Sequence, residues 1–200
     1  MEKFRNKYRI PSARASWWNY GNDAAYFITV CTKDRECYFG DIVDANMQLS
    51  HIGLLADVFW YEIKNHAKNI TLDVFQVMPN HIHGILILNG NGNGNGNGNG
   101  NANGNVETTH ALSLPPETPG QKRFKHQGSN TISSIIGSYK SAVTKHAHRL
   151  GYEFEWQGRF HDIIIRNEES YLRIVDYIKN NPARWEEDKF NPAKKKRDDA

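Results

Sequence analysis

The feature that most constrains the fold is a pair of apolar segments, ITLDVFQVM and HIHGILIL, joined by Pro79 and Asn80. Proline followed by asparagine favours a tight turn, so the two segments predict an antiparallel β-hairpin. The second segment is apolar at both alternating sets of positions, which is typical of a strand covered on both faces. HIHGILIL is therefore expected in the interior of a sheet.

Two further strands and three helices surround this hairpin in the sequence. AYFITVCT predicts a first strand at residues 25–32, and CYFGDI after it predicts a hairpin return or a loop. SHIGLLADVFWYEIKNHA predicts a helix capped by Ser50. The expected inner stripe of this helix is Ile52, Leu55, Val58, Phe59 and Ile63.

The C-terminal half repeats the alternation of helix and strand. TISSIIGSYKSAVTKHAHRLG predicts a second helix ended by Gly151, and FEWQGRFHDIIIRN predicts a strand or a bent hairpin. NEESYLRIVDYIKNNP predicts a last helix that stops before Pro182. This order predicts an α+β fold, an antiparallel sheet with helices packed on it, of the ferredoxin-like type.

Composition divides the chain into one domain with attachments. Residues 1–24 are a basic, aromatic N-terminal arm, residues 25–185 hold the domain, and residues 186–200 form a charged tail. An insertion at about 89–128, which begins with alternating Asn and Gly, interrupts the domain. Glycine loses much entropy on ordering and offers no side chain to bury, so the insertion is expected to be a flexible surface loop.

Charge and cysteine content narrow the function. Lys and Arg outnumber Asp and Glu by 25 to 22 in 200 residues, which allows nucleic-acid binding without proving it. Cys31 and Cys37 form no CxxC pair, so neither a zinc ribbon nor a disulfide framework is expected. No apolar run approaches the roughly 20 residues of a membrane span. These features predict a protein of the reducing cytoplasm that does not bind membranes.

His81 and His83 are the candidate metal ligands. Side chains two residues apart on a strand point to the same face, so both imidazoles can reach one divalent ion. An HxH pair is also common at ordinary polar positions, and the spacing alone leaves both interpretations open. The apolar neighbours favour ligation, because two adjacent buried histidines cost several kcal/mol unless they are paired or bound to an ion.

Two segments carry a resemblance to a known family. VMPNHIHGILIL resembles the metal-binding strand of the HUH single-tyrosine transposases, in which Met-Pro precedes the histidine pair. FEWQGRFHDIIIRNEESYLRIVDYIKNNPARW is similar to the C-terminal half of that superfamily, above all to the REP-associated tyrosine transposase branch. The resemblance implies an HUH domain of ferredoxin-like or RRM-like fold.

The resemblance also implies roles for individual residues. Tyr177 would be the nucleophile, and His81, His83 and Asn181 would hold Mg²⁺ or Mn²⁺. The substrate would be single-stranded DNA, with hairpins at the ends of a mobile or repeat element. The enzyme would be a cytoplasmic bacterial protein, a monomer or a homodimer, associated with the nucleoid when bound to DNA.

Helix geometry agrees with these roles. Tyr177 and Asn181 lie four residues apart, so they project together from one edge of the last helix, while Tyr171, Ile174, Val175 and Ile178 form its inner stripe. Tyr139 is a rival nucleophile, but its spacing places it on the packing stripe of the second helix. Ionisation of Tyr177 needs help from the metal or from a basic residue, for which Arg173 and Lys179 are candidates.

Basic residues supply candidate DNA contacts. The candidates are Lys122, Arg123, Lys125, Lys140, Lys145 and Arg149. His146 and His148 diverge on their helix and are expected to face solvent or DNA.

Three other functions stay open. The first is a domesticated relative that binds DNA hairpins without cleaving them. The second is an HUH replication initiator or relaxase, and the third is a zinc hydrolase, although the chain lacks HExxH.

Overall fold

The computed structural model of the protein describes residues 3–4, 7–8, 24–67, 69–89 and 131–193. The strands are β1 (Lys3–Phe4), β2 (Lys7–Tyr8), β3 (Ala24–Thr32), β4 (Gly40–Val43), β5 (Asn46–Leu49), β6 (Ile70–Met78), β7 (His81–Leu88) and β8 (Trp156–Ile165). The helices are α1 (His51–His66), α2 (Ile132–Arg149) and α3 (Glu168–Asn180), with 3-10 turns at Lys33–Arg35 and Pro182–Glu187. The alternating Asn-Gly tract lies outside the described residues.

A four-stranded antiparallel sheet in the order β6-β7-β3-β8 forms the centre of the domain. The chain passes from β3 to β6 through α1 and from β7 to β8 through α2, which is the ferredoxin-like topology. The α+β fold predicted from the sequence is therefore confirmed, and so is the interior position of β7 between two neighbours. Between β3 and α1, Gly40–Val43 and Asn46–Leu49 pair as a separate hairpin.

The helix boundaries follow the capping residues. Ser50 Oγ accepts a hydrogen bond from the backbone N of Gly53, 3.0 Å away, as predicted for α1. Gly151, after α2, has a φ of 82°, the left-handed conformation that ends a helix. Helix α3 ends at Asn180, before Pro182, again as predicted.

The main core lies between the sheet and the pair α1 and α2. Tyr26, Ile28 and Val30 of β3 face this layer, together with Ile82 and Leu86 of β7. The inner stripe predicted for α1 is wrong at Val58, which is 53% exposed. Ala56 and Trp60 face the sheet instead, beside the predicted Ile63, and Val58 is turned by roughly 160° from both Ala56 and Trp60.

Gly84 explains the position of Trp60. An ideal Cβ on Gly84 would lie 2.3 Å from Cζ2 of Trp60, so the indole ring rests directly on the backbone of β7. Trp60 also stacks on Phe75, with ring centroids 4.4 Å apart. The missing side chain at position 84 therefore fixes the rotation of α1 on the sheet.

Helix α3 lies on the opposite face of the sheet. The Tyr171 hydroxyl donates a hydrogen bond to Asp73 Oδ2 of β6 at 2.5 Å, and the fully buried Ile178 anchors the end of the helix. His81, His83, Phe27 and Thr29 lie on this same face, because their positions alternate with those that face α1 and α2. Of the described helices, none is long and apolar enough to cross a membrane.

Candidate metal and tyrosine site

His81 and His83 lie side by side on β7, as the spacing predicts. Their side chains are 0% and 1% exposed. His83 is paired in the sheet with Thr29 of β3 and Gln76 of β6, and His81 is paired with Cys31 and Met78. The two flanking strands thus hold both side chains on this face of the sheet.

Asn80 decides which nitrogen of His81 faces the site. Its Nδ2 donates to the backbone O of Arg35 at 3.0 Å and to that of Phe190 at 2.7 Å. Its Oδ1 must therefore accept from Nδ1 of His81, 2.9 Å away. In neutral His81 the proton is then on Nδ1, and Nε2 presents a lone pair to the site.

The two Nε2 atoms point at each other. They are 3.0 Å apart, and Nδ1 of His83 lies 2.9 Å from Oγ1 of Thr29, a hydroxyl that can donate or accept. Two nitrogens that each lie 2.0–2.1 Å from one ion are about 3 Å apart, so the observed geometry fits two ligands of one metal. Asn80 and Thr29 are the outer partners that orient such ligands.

Burial keeps both imidazoles in the form that binds metals. Desolvation lowers the pKa of His83 to about 3, with a smaller contribution from the charge of Lys189. Desolvation also lowers the pKa of His81 well below its usual range, helped by the charges of His83 and Arg35. Both imidazoles are therefore uncharged at neutral pH, which is the form that binds metal ions.

Two oxygen donors approach the histidines from beyond α3. Asn181 is 2% exposed, and its Oδ1 is a buried atom that has no hydrogen-bond partner among the described residues. Asn181 Nδ2 donates to Oδ2 of Asp188 at 3.1 Å. Ligand atoms of His81, His83 and Asp188 all lie within 4.8 Å of one another. This group can hold a divalent metal, and Asn181 is joined to it by its hydrogen bond to Asp188.

Tyr177 completes the cluster. Its hydroxyl lies 3.2 Å from Nε2 of His83, and its ring makes an edge contact with Phe27. Burial, and to a smaller extent the charge of Asp188, raises the pKa of Tyr177 to about 12, while a hydrogen bond with Asn181 opposes the rise. The structure thus brings together Tyr177, Asn181, His81 and His83, the four site residues that the resemblance implied.

The segment after α3 covers the histidines. The ring of Phe190 packs 4.7 Å from the ring of His81, and Trp185 lies 6.1 Å from it. The Arg35 guanidinium lies 3.8 Å above the Phe190 ring. The predicted charged tail begins at residue 186, yet Asp188 and Phe190 are packed against the site. Nothing in the acidic stretch WEED distinguished Asp188 from its exposed neighbours.

The predicted DNA contacts divide into three groups. Lys122, Arg123 and Lys125 lie outside the described residues. Lys145 and Arg149 are exposed on α2. Lys140 is half-buried and donates to the backbone O of Gln157 at 2.6 Å, so its charge is already engaged by the protein.

Several other side chains of α2 are also engaged within the fold. His148 lies 3.0 Å from the backbone O of Phe154, and His146 packs against Phe59 with ring centroids 4.7 Å apart. The expectation that these two histidines face solvent or DNA is met in part, since His148 is exposed whereas His146 is partly buried. Tyr139, the rival nucleophile, is buried and donates to the backbone O of Ala56 at 2.9 Å.

The fold is similar to that of a solved tyrosine transposase. The solved structure of a REP-associated tyrosine transposase bound to a REP hairpin aligns with 86% of this chain and 74% of that chain, with a TM-score of 0.51 and 21% sequence identity. This similarity confirms the resemblance at the level of the fold.

Sequence comparison places the chain in a family. The chain is 35% identical over 181 residues to an uncharacterized protein of Haemophilus influenzae, covering 90% of this chain and 91% of that protein. The chain belongs to the same family as that protein. No family model matches the chain.

Proposed function

We propose that this protein is a transposase that cleaves and rejoins single-stranded DNA through a covalent link to Tyr177. The observation that carries the proposal is the 3.2 Å separation between the Tyr177 hydroxyl and Nε2 of His83, beside the facing Nε2 of His81. A nucleophile, two neutral nitrogen donors and two oxygen donors lie in one cluster, a set that suits metal-assisted phosphoryl transfer to a tyrosine.

His81, His83 and Asn181 are the residues proposed to hold Mg²⁺ or Mn²⁺, with Asp188 as the additional oxygen donor found in the structure. When bound, such an ion supplies positive charge that stabilises the non-bridging phosphate oxygens as negative charge builds on them. Arg35 adds a second cation, since its Nη1 is buried and has no hydrogen-bond partner within the described part of the chain. We infer that Arg35 contacts the same phosphate from the Phe190 side.

The chemical step exchanges one phosphodiester for another. The Tyr177 oxygen forms a bond to phosphorus, the bond from phosphorus to the 3′-oxygen breaks, and that oxygen leaves as a free 3′-hydroxyl. The product is a 5′-phosphotyrosine, which keeps the energy of the ester. A 3′-hydroxyl of another strand can therefore reverse the step and join DNA without ATP.

The phenol must lose its proton for this attack, and its pKa of about 12 in the metal-free protein opposes the loss. Asp188 interacts with the hydroxyl by charge and by a hydrogen bond, so it is placed to accept the proton. Lys179 is exposed, and Arg173 donates to Ser170 at 3.2 Å. Asp188 is therefore a better candidate for this role than either basic residue suggested by the sequence.

Cleavage of labelled DNA tests the proposal. Single-stranded hairpins from the sequences that flank the gene are incubated with the full chain and Mg²⁺ or Mn²⁺, beside Tyr177→Phe and the matched control Tyr61→Phe on α1. We expect metal-dependent cleavage by the wild type and by Tyr61→Phe, and none by Tyr177→Phe. Tight hairpin binding without cleavage under any metal would instead support the domesticated binding protein.

A further inference from the structure

An apolar strip of the sheet beside the Tyr177 site is left uncovered by the described part of the chain. Helix α3 packs near β6, whereas β8 forms the opposite edge of the sheet. Ile163 of β8 is paired with Phe27, so its side chain lies on the α3 face, yet it is 56% exposed. A groove of about 440 Å³ runs between β8 and α3.

The wall of this groove leads to the proposed nucleophile. Ser170, Arg173, Ile174 and Tyr177 all line it from α3. They are spaced by three and four residues, so they form one face of the helix about 10 Å long. Any chain that occupies the groove and follows the helix towards its C-terminus therefore arrives at the Tyr177 hydroxyl.

The chemistry of the lining combines an apolar floor with basic ends. Ile163 and Ile165 of β8 form the floor with Ile174, and Arg166 and Arg173 also line the groove. The acidic Glu168 and Glu169 of the first turn of α3 are exposed and do not line it. Apolar surface accepts the faces of unstacked bases, and guanidinium groups pair with phosphates.

We propose that this groove binds the unpaired nucleotides next to the phosphate that Tyr177 attacks. The inference rests on the proposed function, because it assumes that Tyr177, at one end of the groove, is the residue that attacks the DNA. A second copy of this chain, added at the free edge of β8, is the rival occupant. The lining favours nucleic acid, since two guanidinium groups beside the same strip would repel those of an identical partner unless acidic groups faced them.

Binding of a short oligothymidylate tests the proposal without any cleavage. The probe is a fluorescein-labelled single strand of about 12 nucleotides, long enough for one binding groove, followed by fluorescence anisotropy in the presence of EDTA. Ile163→Asp places a carboxylate on the floor of the groove at small cost in folding, because the side chain is exposed. Leu172→Asp is the matched control: Leu172 is 57% exposed on α3 and does not line the groove.

We expect Ile163→Asp to weaken probe binding by about tenfold or more, the loss of one stacked base, and Leu172→Asp to leave it unchanged. Arg173→Ala should reduce the slope of log affinity against log salt by about 0.7, the value for one lost phosphate contact. Equal affinity of Ile163→Asp and Leu172→Asp for the probe would overturn the proposal. A change in the sedimentation of the free protein caused only by Ile163→Asp would also overturn it, in favour of a second copy.

Failure of this proposal is distinguishable from failure of the proposed function. If wild-type protein cleaves hairpins while Ile163→Asp binds the probe normally, the function stands and the groove assignment is wrong. If Ile163→Asp loses probe binding while no variant or wild type forms a DNA adduct, the groove stands and Tyr177 chemistry is wrong. Circular dichroism and thermal melting of both variants establish that they fold.

Discussion

The Oδ1 atom of Asn80 lies 2.9 Å from Nδ1 of His81, and this hydrogen bond leaves Nε2 of His81 as the lone pair that faces His83. The same side chain also donates to the backbone O of Arg35 and to that of Phe190. Asn80 is thus a positioning residue that ties the orientation of a proposed ligand to the docking of the C-terminal segment.

Asn80→Ala should weaken Mn²⁺ binding by about 10- to 100-fold, the usual effect of losing an outer partner of a metal ligand. It should also lower the free energy of unfolding by about 2–5 kcal/mol, because one buried and two partly buried hydrogen-bonding groups lose their partner. Electron paramagnetic resonance titration of Mn²⁺ and urea unfolding measure the two effects. Asn46→Ala, at the exposed first residue of β5, is the control, and unchanged Mn²⁺ affinity in Asn80→Ala would contradict the assignment.

Acid should destabilise the protein over a pH range that is set by the pKa values of His81 and His83. The pKa of His83 is about 3 in the folded state, and that of His81 is also well below its usual value near 6.5. The unfolded chain therefore binds more protons between these values, so stability falls as the pH drops from about 6.5 towards 3. The slope approaches about 1.4 kcal/mol per pH unit for each histidine.

Urea unfolding of the metal-free protein at several pH values measures this loss. His83→Gln should reduce the slope by the contribution of one histidine, whereas His66→Gln, at an exposed position on α1, should leave it unchanged. Equal slopes for wild type and His83→Gln would show that His83 is not held neutral in the folded protein.

Asp188→Asn should lower the pKa of Tyr177 in the metal-free protein from about 12. Removal of the carboxylate charge favours the phenolate, but burial is the larger cause of the raised value, so the pKa should stay above 10. Nuclear magnetic resonance of protein labelled at the tyrosine ring carbon beside the hydroxyl follows this titration, with Tyr177→Phe to assign the signal. Asp176→Asn, exposed on α3, should leave the titration unchanged; an unshifted titration in Asp188→Asn would contradict the placement.

Gly84→Ala should cost about 2–4 kcal/mol of stability, since the new methyl group overlaps the Trp60 ring in a fully packed layer. Gly158→Ala on β8 is the control, because nothing lies within 4 Å of the position of its Cβ. Replacing Trp60 with Leu in the Gly84→Ala background should recover part of the loss, which a double-mutant cycle measures. A cost no larger than that of Gly158→Ala would contradict the packing of Trp60 on β7.

The sequence predicted the fold and most of the site because the relevant signals are local. The alternation of β7 placed His81 and His83 on one face, and the four-residue spacing in α3 placed Tyr177 beside Asn181. The place of Asp188 in the site could not be predicted from the sequence, since it depends on how the chain turns after Pro182. Trp60 was missed for a similar reason: its burial depends on Gly84, a residue from another element that offers no side chain.

The most direct test of the central claim is to locate the tyrosine that carries DNA. Wild-type protein is trapped with a labelled hairpin in Mn²⁺, digested with nuclease and trypsin, and analysed by mass spectrometry. Tyr177 falls on the tryptic peptide IVDYIK and Tyr171 on NEESYLR, so the two are separated by cleavage after Arg173. We expect a nucleotide remnant on IVDYIK that is abolished by EDTA. A remnant on any other tyrosine peptide, or one that forms equally in EDTA, would contradict it.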